Sequence, residues 1–128
     1  MMKSNAAREV VKQFWFLMGT NEFFRLADVL SSDFFLEWPQ SGEIIRGAEN
    51  FTRVNEEYPS RGPWVFTINR IVSSDSEVVT DVHVTDGVTR ARSIAFFTVC
   101  DGKICRIVEF WPDDYGPPEN RSHLVERM

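Results

Sequence analysis

The sequence predicts a single α+β domain in which helices cover one face of an antiparallel sheet. Apolar residues at helical spacing dominate the N-terminal part of the chain, whereas the pattern of residues 64–111 predicts strands almost continuously. The strand-rich part also contains Asp86-Gly87 and Asp101-Gly102, and Asp-Gly between alternating runs is a strong β-hairpin signal. A length of 128 residues is enough for one domain with one core.

Three helices are predicted from apolar residues at three- and four-residue spacing. The second covers about residues 21–31 and the third covers residues 48–58. The first covers residues 5–18, and its inward positions are Val10, Phe14, Leu17 and Met18. Residues 34–38 and 43–47 form two short strands between the second and third helices.

Four further strands are predicted after the third helix. Residues 64–72 form the first of them, and residues 71–111 supply three more, separated by the two Asp-Gly turns. Helices first and a run of strands afterwards is the order expected of an α+β domain.

The composition narrows the class of protein. A net charge of −5 with scattered basic residues argues against nucleic-acid binding. No apolar stretch approaches membrane-spanning length, and the amphipathic start is not a signal-peptide pattern, so we expect a cytoplasmic protein without a membrane partner. Eleven Phe and four Trp either fill a core or line an apolar pocket.

The two cysteines carry little functional signal. Cys100 and Cys105 flank a tight turn, and in a cytoplasmic protein no disulfide is expected between them. Two cysteines without a nearby histidine do not form a zinc site, so no metal is predicted.

Two-residue turns at the Asp-Gly pairs fix a predicted strand register. Around Asp86-Gly87, His83 would lie opposite Arg90 and Asp81 opposite Arg92. Around Asp101-Gly102, the opposed pairs would be Phe96 with Ile107, Ile94 with Glu109, and Arg92 with Trp111.

Because side chains alternate along a strand, this register places Asp81, His83, Arg90, Arg92 and Glu109 on one face together with several aromatics. The opposite face would hold Val82, Val84, Ala91, Ala95, Phe97 and Val108. Two interpretations follow. The charged face is either a solvent face with ordinary surface ion pairs, or the floor of a pocket that the helices cover.

The order of elements and the ending "GKICRIVEFWPD" resemble the SnoaL-like polyketide cyclase group. That group belongs to the nuclear transport factor 2-like superfamily, together with ketosteroid isomerase. The resemblance covers residues 5–120, and residues 112–128 form a polar C-terminal tail in which we predict a helix over 119–127.

The resemblance implies a cystatin-like cone, in which a curved antiparallel or mixed sheet wraps around the helices and encloses a ligand pocket. It favours the pocket interpretation, because Trp111 matches a tryptophan that lines the pocket in ketosteroid isomerase. The positions that carry the isomerase's base, tyrosine and oxyanion acid fall here on Trp38, Phe14 and Phe96, or Ala95 under another count of the turn. None of these side chains can do that chemistry, so ketosteroid isomerisation is not expected.

A different polar set remains on the predicted pocket floor. The predicted catalytic residues are Glu109, His83, Asp81 and Arg92, since a histidine beside carboxylates is a plausible acid/base pair. Residues such as Asp81 and Arg92 more often form a structural ion pair, and His83 is also consistent with an exposed position at the rim. Glu109 is the strongest candidate, because a lone buried carboxylate is costly unless it is paired or functional. The residues expected to contact ligand are Phe14, Trp38, Phe96, Ile107 and Trp111.

The functional prediction is a small-molecule pocket protein that performs cofactor-independent acid/base chemistry on a small hydrophobic or aromatic compound. Cyclisation, isomerisation, dehydration and hydration all fit such a site. The alternative is a non-catalytic ligand-binding or dimerisation domain. We also expect a homodimer through the apolar second face that contains Val82 and Phe97, because monomers seldom expose such a patch.

Overall fold

The computed structural model describes the backbone of residues 2–128 and the side chains from Ala6 onward. The helices are α1 (Met2–Gly19) and α2 (Ala48–Glu57), with short 3-10 helices at Phe23–Asp28 and Glu119–Arg121. The strands are β1 (Leu30–Trp38), β2 (Glu43–Arg46), β3 (Val65–Ser74), β4 (Glu77–Thr85), β5 (Arg90–Cys100) and β6 (Lys103–Phe110).

The six strands form one mixed sheet in the order β2-β1-β6-β5-β4-β3. Neighbouring strands are antiparallel except β1 and β6, which run parallel. The helices pack against one face of this sheet, so the predicted α+β class is confirmed. Among the described residues, no helix is long and apolar enough to cross a membrane.

Aromatic side chains fill the centre of the domain between the helices and the sheet. Phe14 of α1 packs edge-on against Phe97 of β5 at 5.2 Å and stacks with Phe51 of α2 at 6.1 Å between ring centroids. Trp15 is also buried, and its indole nitrogen donates to Thr80 Oγ1 at 3.2 Å. Burial of several large rings and their edge-on contacts stabilises this arrangement.

The hairpin between β4 and β5 has a longer loop than predicted. His83 pairs with Arg92 and Asp81 with Ile94, so the register differs by two residues from the predicted one. The Asp86 side chain accepts hydrogen bonds from the backbone N–H groups of Val88 at 3.0 Å and Thr89 at 2.7 Å. This local bonding stabilises a four-residue loop in place of a two-residue turn. A shift of two residues leaves every side chain on its predicted face.

The hairpin between β5 and β6 begins as predicted and then departs from the prediction. Cys100 pairs with Lys103, but the register shifts by one between Thr98 and Val99, which leaves Cys105 as an extra, bulged residue. Beyond this β-bulge, Phe97 lies opposite Ile107 and Ala95 opposite Glu109. A one-residue shift turns every later side chain of β6 to the other face.

The predicted faces of the sheet are therefore wrong in two respects. The helices cover the face that was expected to form the dimer contact, where Val82, Ala95 and Phe97 are fully buried. Ile107 and Glu109 lie on this covered face, whereas they were predicted to lie beside Asp81 and Arg92. The helices cover this face because it is almost wholly apolar, whereas the outer face carries Asp81, Arg92, Arg106 and further charged side chains. Burial of those charges would cost far more free energy.

Three smaller predictions also differ from the structure. The second helix is a 3-10 helix that ends at Asp28, and β1 already begins at Leu30. The tail has only a 3-10 turn, Glu119–Arg121, in place of a helix over 119–127. Cys100 and Cys105 form a disulfide with Cα atoms 5.9 Å apart, within the usual range, although the compartment argument predicted none.

Candidate functional site

The structure divides the predicted catalytic residues between the two faces of the sheet. Glu109 lies on the face covered by the helices and is 7% exposed. Asp81, His83 and Arg92 lie on the outer face. The predicted single cluster of four residues is therefore wrong, and Glu109 alone keeps a place beneath the helices.

The Glu109 carboxyl is held by hydrogen bonds to both of its oxygens. Trp38 Nε1 donates to Oε1 at 2.9 Å, and the Ser93 hydroxyl donates to Oε2 at 2.6 Å. Ser93 is completely buried, and Trp38 is partly buried at the end of β1. The carboxyl is thus fixed in position by one donor from each neighbouring strand, β1 and β5.

Burial raises the pKa of the Glu109 carboxyl above its ordinary value. The hydrogen bonds from Ser93, Trp38 and Trp111 lower the pKa, but their combined effect is smaller than that of desolvation. Among the described residues, the groups that act on this carboxyl are all uncharged. A carboxyl in such a setting can exchange a proton with a bound molecule nearer to neutral pH than a solvated glutamate can.

Three partly buried tryptophans lie at the same end of the sheet as Glu109. β1 ends at Trp38, β6 ends next to Trp111, and β3 begins next to Trp64. Because β1 and β6 are parallel neighbours, Trp38 and Trp111 lie close together, whereas β3 is separated from β6 by two strands. We call Trp38 and Trp111 the tryptophan rim.

The five predicted ligand contacts have different surroundings. Trp38 and Trp111 lie beside Glu109 at the rim, where both are partly buried against the core cluster. Phe14 and Ile107 are buried in the core cluster, where neighbouring side chains surround them. Phe96 is on the outer face, 43% exposed, with its ring against Phe110 at 6.2 Å.

Asp81 and Arg92 form an ion pair on the outer face. The Arg92 guanidinium donates Nε to Asp81 Oδ1 at 2.8 Å and Nη2 to Oδ2 at 2.6 Å. This pairing lowers the pKa of the Asp81 carboxyl, chiefly through the hydrogen bond from Arg92. Since the Arg92 side chain is 59% exposed, the pair matches the structural interpretation of these residues better than a catalytic one.

Two open cavities on the described part of the chain have linings that do not include Glu109. The larger, about 700 Å³, lies on the outer face beside the disulfide. The smaller, about 430 Å³, lies between β2 and α2 and reaches Trp38. The indole of Trp38 therefore separates the smaller cavity from the buried carboxyl.

Sequence reasoning missed Ser93, the hydroxyl donor to Glu109. The available signal was a serine at an inward position of β5, between the apolar side chains Ala91 and Ala95. The residues described by the structure contain no group of three or more His, Cys, Asp or Glu side chains that could hold a metal ion.

Comparison with known families and structures places the chain among related proteins. The model of the SnoaL-like domain matches residues 11–107. No curated protein matches the chain.

Several solved structures share the whole architecture. A candidate ketosteroid isomerase from Kribbella flavida is 32% identical, with a TM-score of 0.90 over 98% of this chain and 92% of that one. An LEH-like epoxide hydrolase from M. tuberculosis is 20% identical, with a TM-score of 0.69 over 85% of this chain and 84% of its own. A candidate SnoaL-like polyketide cyclase from Jannaschia sp. is 15% identical, with a TM-score of 0.69 over 85% and 87% of the two chains. The last two show the fold alone.

Proposed function

The chain belongs to the SnoaL-like domain family, and from this premise we propose that it binds a small hydrophobic ring compound at the tryptophan rim and transfers a proton through Glu109. The proposal needs no metal or cofactor. The proposed proton transfer could serve cyclisation, isomerisation, dehydration or hydration, since each of these reactions requires a proton to be moved to or from carbon or oxygen.

The observation that carries the proposal is the environment of Glu109. This carboxyl is almost completely buried, yet among the residues that the structure describes it touches only uncharged donors and no cation neutralises it. Burying a carboxyl in this way lowers stability, so a purely structural role would be better served by an apolar side chain. A raised pKa and fixed geometry are the properties of a general acid or base.

The position of Glu109 within the fold supports the same proposal. The resemblance to ketosteroid isomerase assigns the base to the position of Trp38, and the oxyanion acid to that of Phe96 or Ala95. In this chain Trp38 donates to Glu109, and Ala95 lies directly opposite Glu109 on the next strand. A single carboxyl therefore stands between two of the positions that carry acidic groups in the isomerase.

This arrangement does not favour ketosteroid isomerisation itself, although the Kribbella flavida relative is a candidate for that activity. That reaction uses a separate base and oxyanion hole. Here the three corresponding positions hold apolar or indole side chains. We propose a reaction in which one carboxyl both accepts and returns the proton.

A second candidate function is a non-catalytic binding or dimerisation domain. Aromatic side chains fill the space between helices and sheet, and both carboxyl oxygens of Glu109 already have donors within the protein. In this case the tryptophan rim would hold a ligand without chemical change, or would only stabilise the fold.

We also propose a homodimer, through the outer face of the sheet. An apolar patch crosses β4, β5 and β6 there, because Val79 pairs with Phe96, Phe96 with Val108, and Ile94 with Phe110. Phe96 is exposed at its centre. A second copy is the natural cover for a large apolar patch of this kind.

The test begins with native mass spectrometry of the protein purified without denaturation. We expect a bound neutral compound that is lost on denaturation. The identified compound is then incubated in D2O with the wild type, with Glu109→Gln, and with Glu37→Gln as a matched control on the outer side of β1. Deuterium incorporation or product formation with the wild type and Glu37→Gln, but not with Glu109→Gln, supports proton transfer by Glu109. Binding by all three proteins without any reaction supports the second candidate instead.

A further inference from the structure

The disulfide of Cys100 and Cys105 lies at the turn of the β5–β6 hairpin, on the outer face of the sheet. Cys100 is the last residue of β5 and is exposed, whereas Cys105 is the bulged residue of β6 and is half-buried. A dissolved reagent therefore reaches Cys100 more easily than Cys105. Exposed disulfides are the ones that react with thiols while the protein stays folded.

The hairpin has little need of this disulfide to hold its strands together. The bridge joins residues only 5 positions apart, and inside the loop that it closes the backbone already pairs Cys100 with Lys103 and Val99 with Ile104. The entropic stabilisation by a disulfide is smallest for short loops. Reduction should therefore leave the fold intact, as a disulfide that opens and closes reversibly requires.

The structure also provides a partner for the thiol that reduction releases. Cys105 Sγ lies 3.4 Å from the backbone carbonyl oxygen of Thr98. A thiol donates a weak hydrogen bond at this distance, whereas a disulfide sulfur has no proton to donate. The carbonyl of Thr98 can therefore accept a hydrogen bond from Cys105 only in the reduced protein.

The disulfide borders the larger cavity, of about 700 Å³. Both cysteines belong to its lining, which does not include Phe96 or Val108 of the outer apolar patch. A cavity of this volume is large enough for a small thiol. Its charged lining residues are Asp33, Glu77, Asp101, Lys103 and Arg106.

The two cations of this cavity are bound by partners within the protein. The guanidinium of Arg106 donates Nε to Glu37 Oε1 at 2.8 Å, so an added carboxylate already balances its charge. The ammonium of Lys103 donates to the backbone carbonyl of Asp28. Neither cation is therefore poised to bind an incoming anion.

The carboxylates of the cavity have uncharged donors. Asp33 accepts from the hydroxyl of Ser31 at 2.7 Å, and Glu77 accepts from the hydroxyl of Thr98 at 3.2 Å. Asp101 is exposed in the turn between Cys100 and Lys103. The cavity therefore has an excess of negative charge, which repels an anionic reagent more than a neutral or cationic one.

We propose that the Cys100–Cys105 disulfide is a reversible thiol-exchange site, at which a small thiol with a cationic or neutral substituent forms a mixed disulfide with Cys100. The thiolate of the reagent attacks Cys100 Sγ, a new S–S bond forms, and the bond to Cys105 breaks. Cys105 leaves as a thiolate and takes up the proton that the attacking thiol lost. A second thiol then attacks the mixed disulfide, so the protein is reduced to the dithiol and the reagent is oxidised to its own disulfide. This site is independent of Glu109 and of the proposed function.

The first test compares cysteamine, 2-mercaptoethanol and 2-mercaptoethanesulfonate, which carry a cationic, a neutral and an anionic substituent. Their rates of reduction of the folded wild type are measured by alkylation and intact mass. Each rate is divided by the rate with bis(2-hydroxyethyl) disulfide, an uncharged reference. We expect the corrected rate to be about threefold or more higher for cysteamine than for 2-mercaptoethanesulfonate at low salt, and the difference to shrink at high salt.

Two variants serve as a matched pair in this test. Glu77→Gln removes one charge from the cavity and should reduce the preference for cysteamine, whereas Glu56→Gln, exposed on α2 outside the cavity, should leave it unchanged. Circular dichroism of the reduced and oxidised proteins should agree. A disulfide that reacts only after unfolding would overturn the exchange site. Equal corrected rates for the three thiols would overturn the assigned class of reagent.

The second test identifies the sulfur that forms the mixed disulfide. Cys105→Ser leaves the thiol of Cys100 and Cys100→Ser leaves that of Cys105, and each variant is treated with cystamine and followed by intact mass. Because Cys100 is the more exposed residue, its thiol should react about threefold or more faster. A faster reaction at Cys105 would overturn the assignment to Cys100.

Discussion

Trp38 and Glu109 lie side by side on neighbouring parallel strands, and the indole of Trp38 donates to the carboxyl of Glu109 at 2.9 Å. This contact exists because a β-bulge at Cys105 turns Glu109 to the covered face, where the inward positions of β1 include Trp38. A hydrogen bond between an indole and a buried carboxyl links the stability of the protein to the residue that we propose transfers the proton.

The stability of the protein should depend on the ionisation of Glu109. Its folded-state pKa is raised above the ordinary value of 4.5, so the folded protein binds the proton more tightly than the unfolded chain. This contribution is fully present below pH 4.5 and is lost as pH rises through the folded-state pKa. We therefore expect the melting temperature of Glu109→Gln, relative to the wild type, to increase over this range. Parallel pH profiles for the two proteins would contradict the prediction.

The hydroxyl of Ser93 should stabilise the ionised form of Glu109. Ser93→Ala removes a buried donor at 2.6 Å, and we expect a loss of about 1–3 kcal/mol in the free energy of unfolding near neutral pH. The pKa of Glu109 should rise further in this variant. Chemical denaturation measures the first effect and NMR titration the second, with Ser32→Ala on β1 as a control in which neither value changes.

The bulge at Cys105 should not be needed for folding. Deletion of Cys105 would leave a regular hairpin in which Arg106 still lies opposite Thr98 and Ile107 still lies opposite Phe97. Because Ile107 and Glu109 keep their inward positions, we expect the deletion variant to fold, as judged by circular dichroism. Cys105→Ser keeps the chain length and loses the disulfide, so it serves as the matched control. An unfolded deletion variant beside a folded Cys105→Ser would show that the extra residue itself is required.

The ion pair of Asp81 with Arg92 should contribute little to stability. If the pair lay on the covered face, Asp81→Ala would leave the charge of Arg92 buried and unpaired. The structure instead places Arg92 in solvent. We expect the melting temperature of Asp81→Ala to stay close to that of the wild type at moderate salt. A large decrease would indicate that the outer face is covered in solution, as in the proposed dimer.

The proposed dimer should depend on Phe96, at the centre of the outer apolar patch. Phe96→Glu places a charge in the interface, and we expect a monomer by sedimentation velocity at micromolar concentration. Val88→Glu serves as the control, because Val88 is exposed in the loop between β4 and β5, away from the patch. A wild-type monomer at this concentration would exclude the proposed dimer.

The sequence by itself determined the class of the fold, the order of its main elements and the strand on which Glu109 lies. Helical periodicity located α1 and α2, and the Asp-Gly pairs located both hairpins. These features depend on neighbouring residues in the chain, so they can be read locally. The prediction of which side chains of β4 and β5 share a face was also correct, because the longer loop shifted the register by two residues, an even number.

Only the tertiary structure decided which face of the sheet is covered and which side chains share it with Glu109. Side chains alternate with a period of two, so one bulged residue reverses every later assignment on its strand. Whether Cys105 is bulged depends on packing Ile104 and Ile107 together beneath the helices, beside residues of β1 distant in sequence. No local sequence pattern predicts that packing. The packing is the reason that Glu109 contacts Ser93 and Trp38 rather than Asp81 and Arg92.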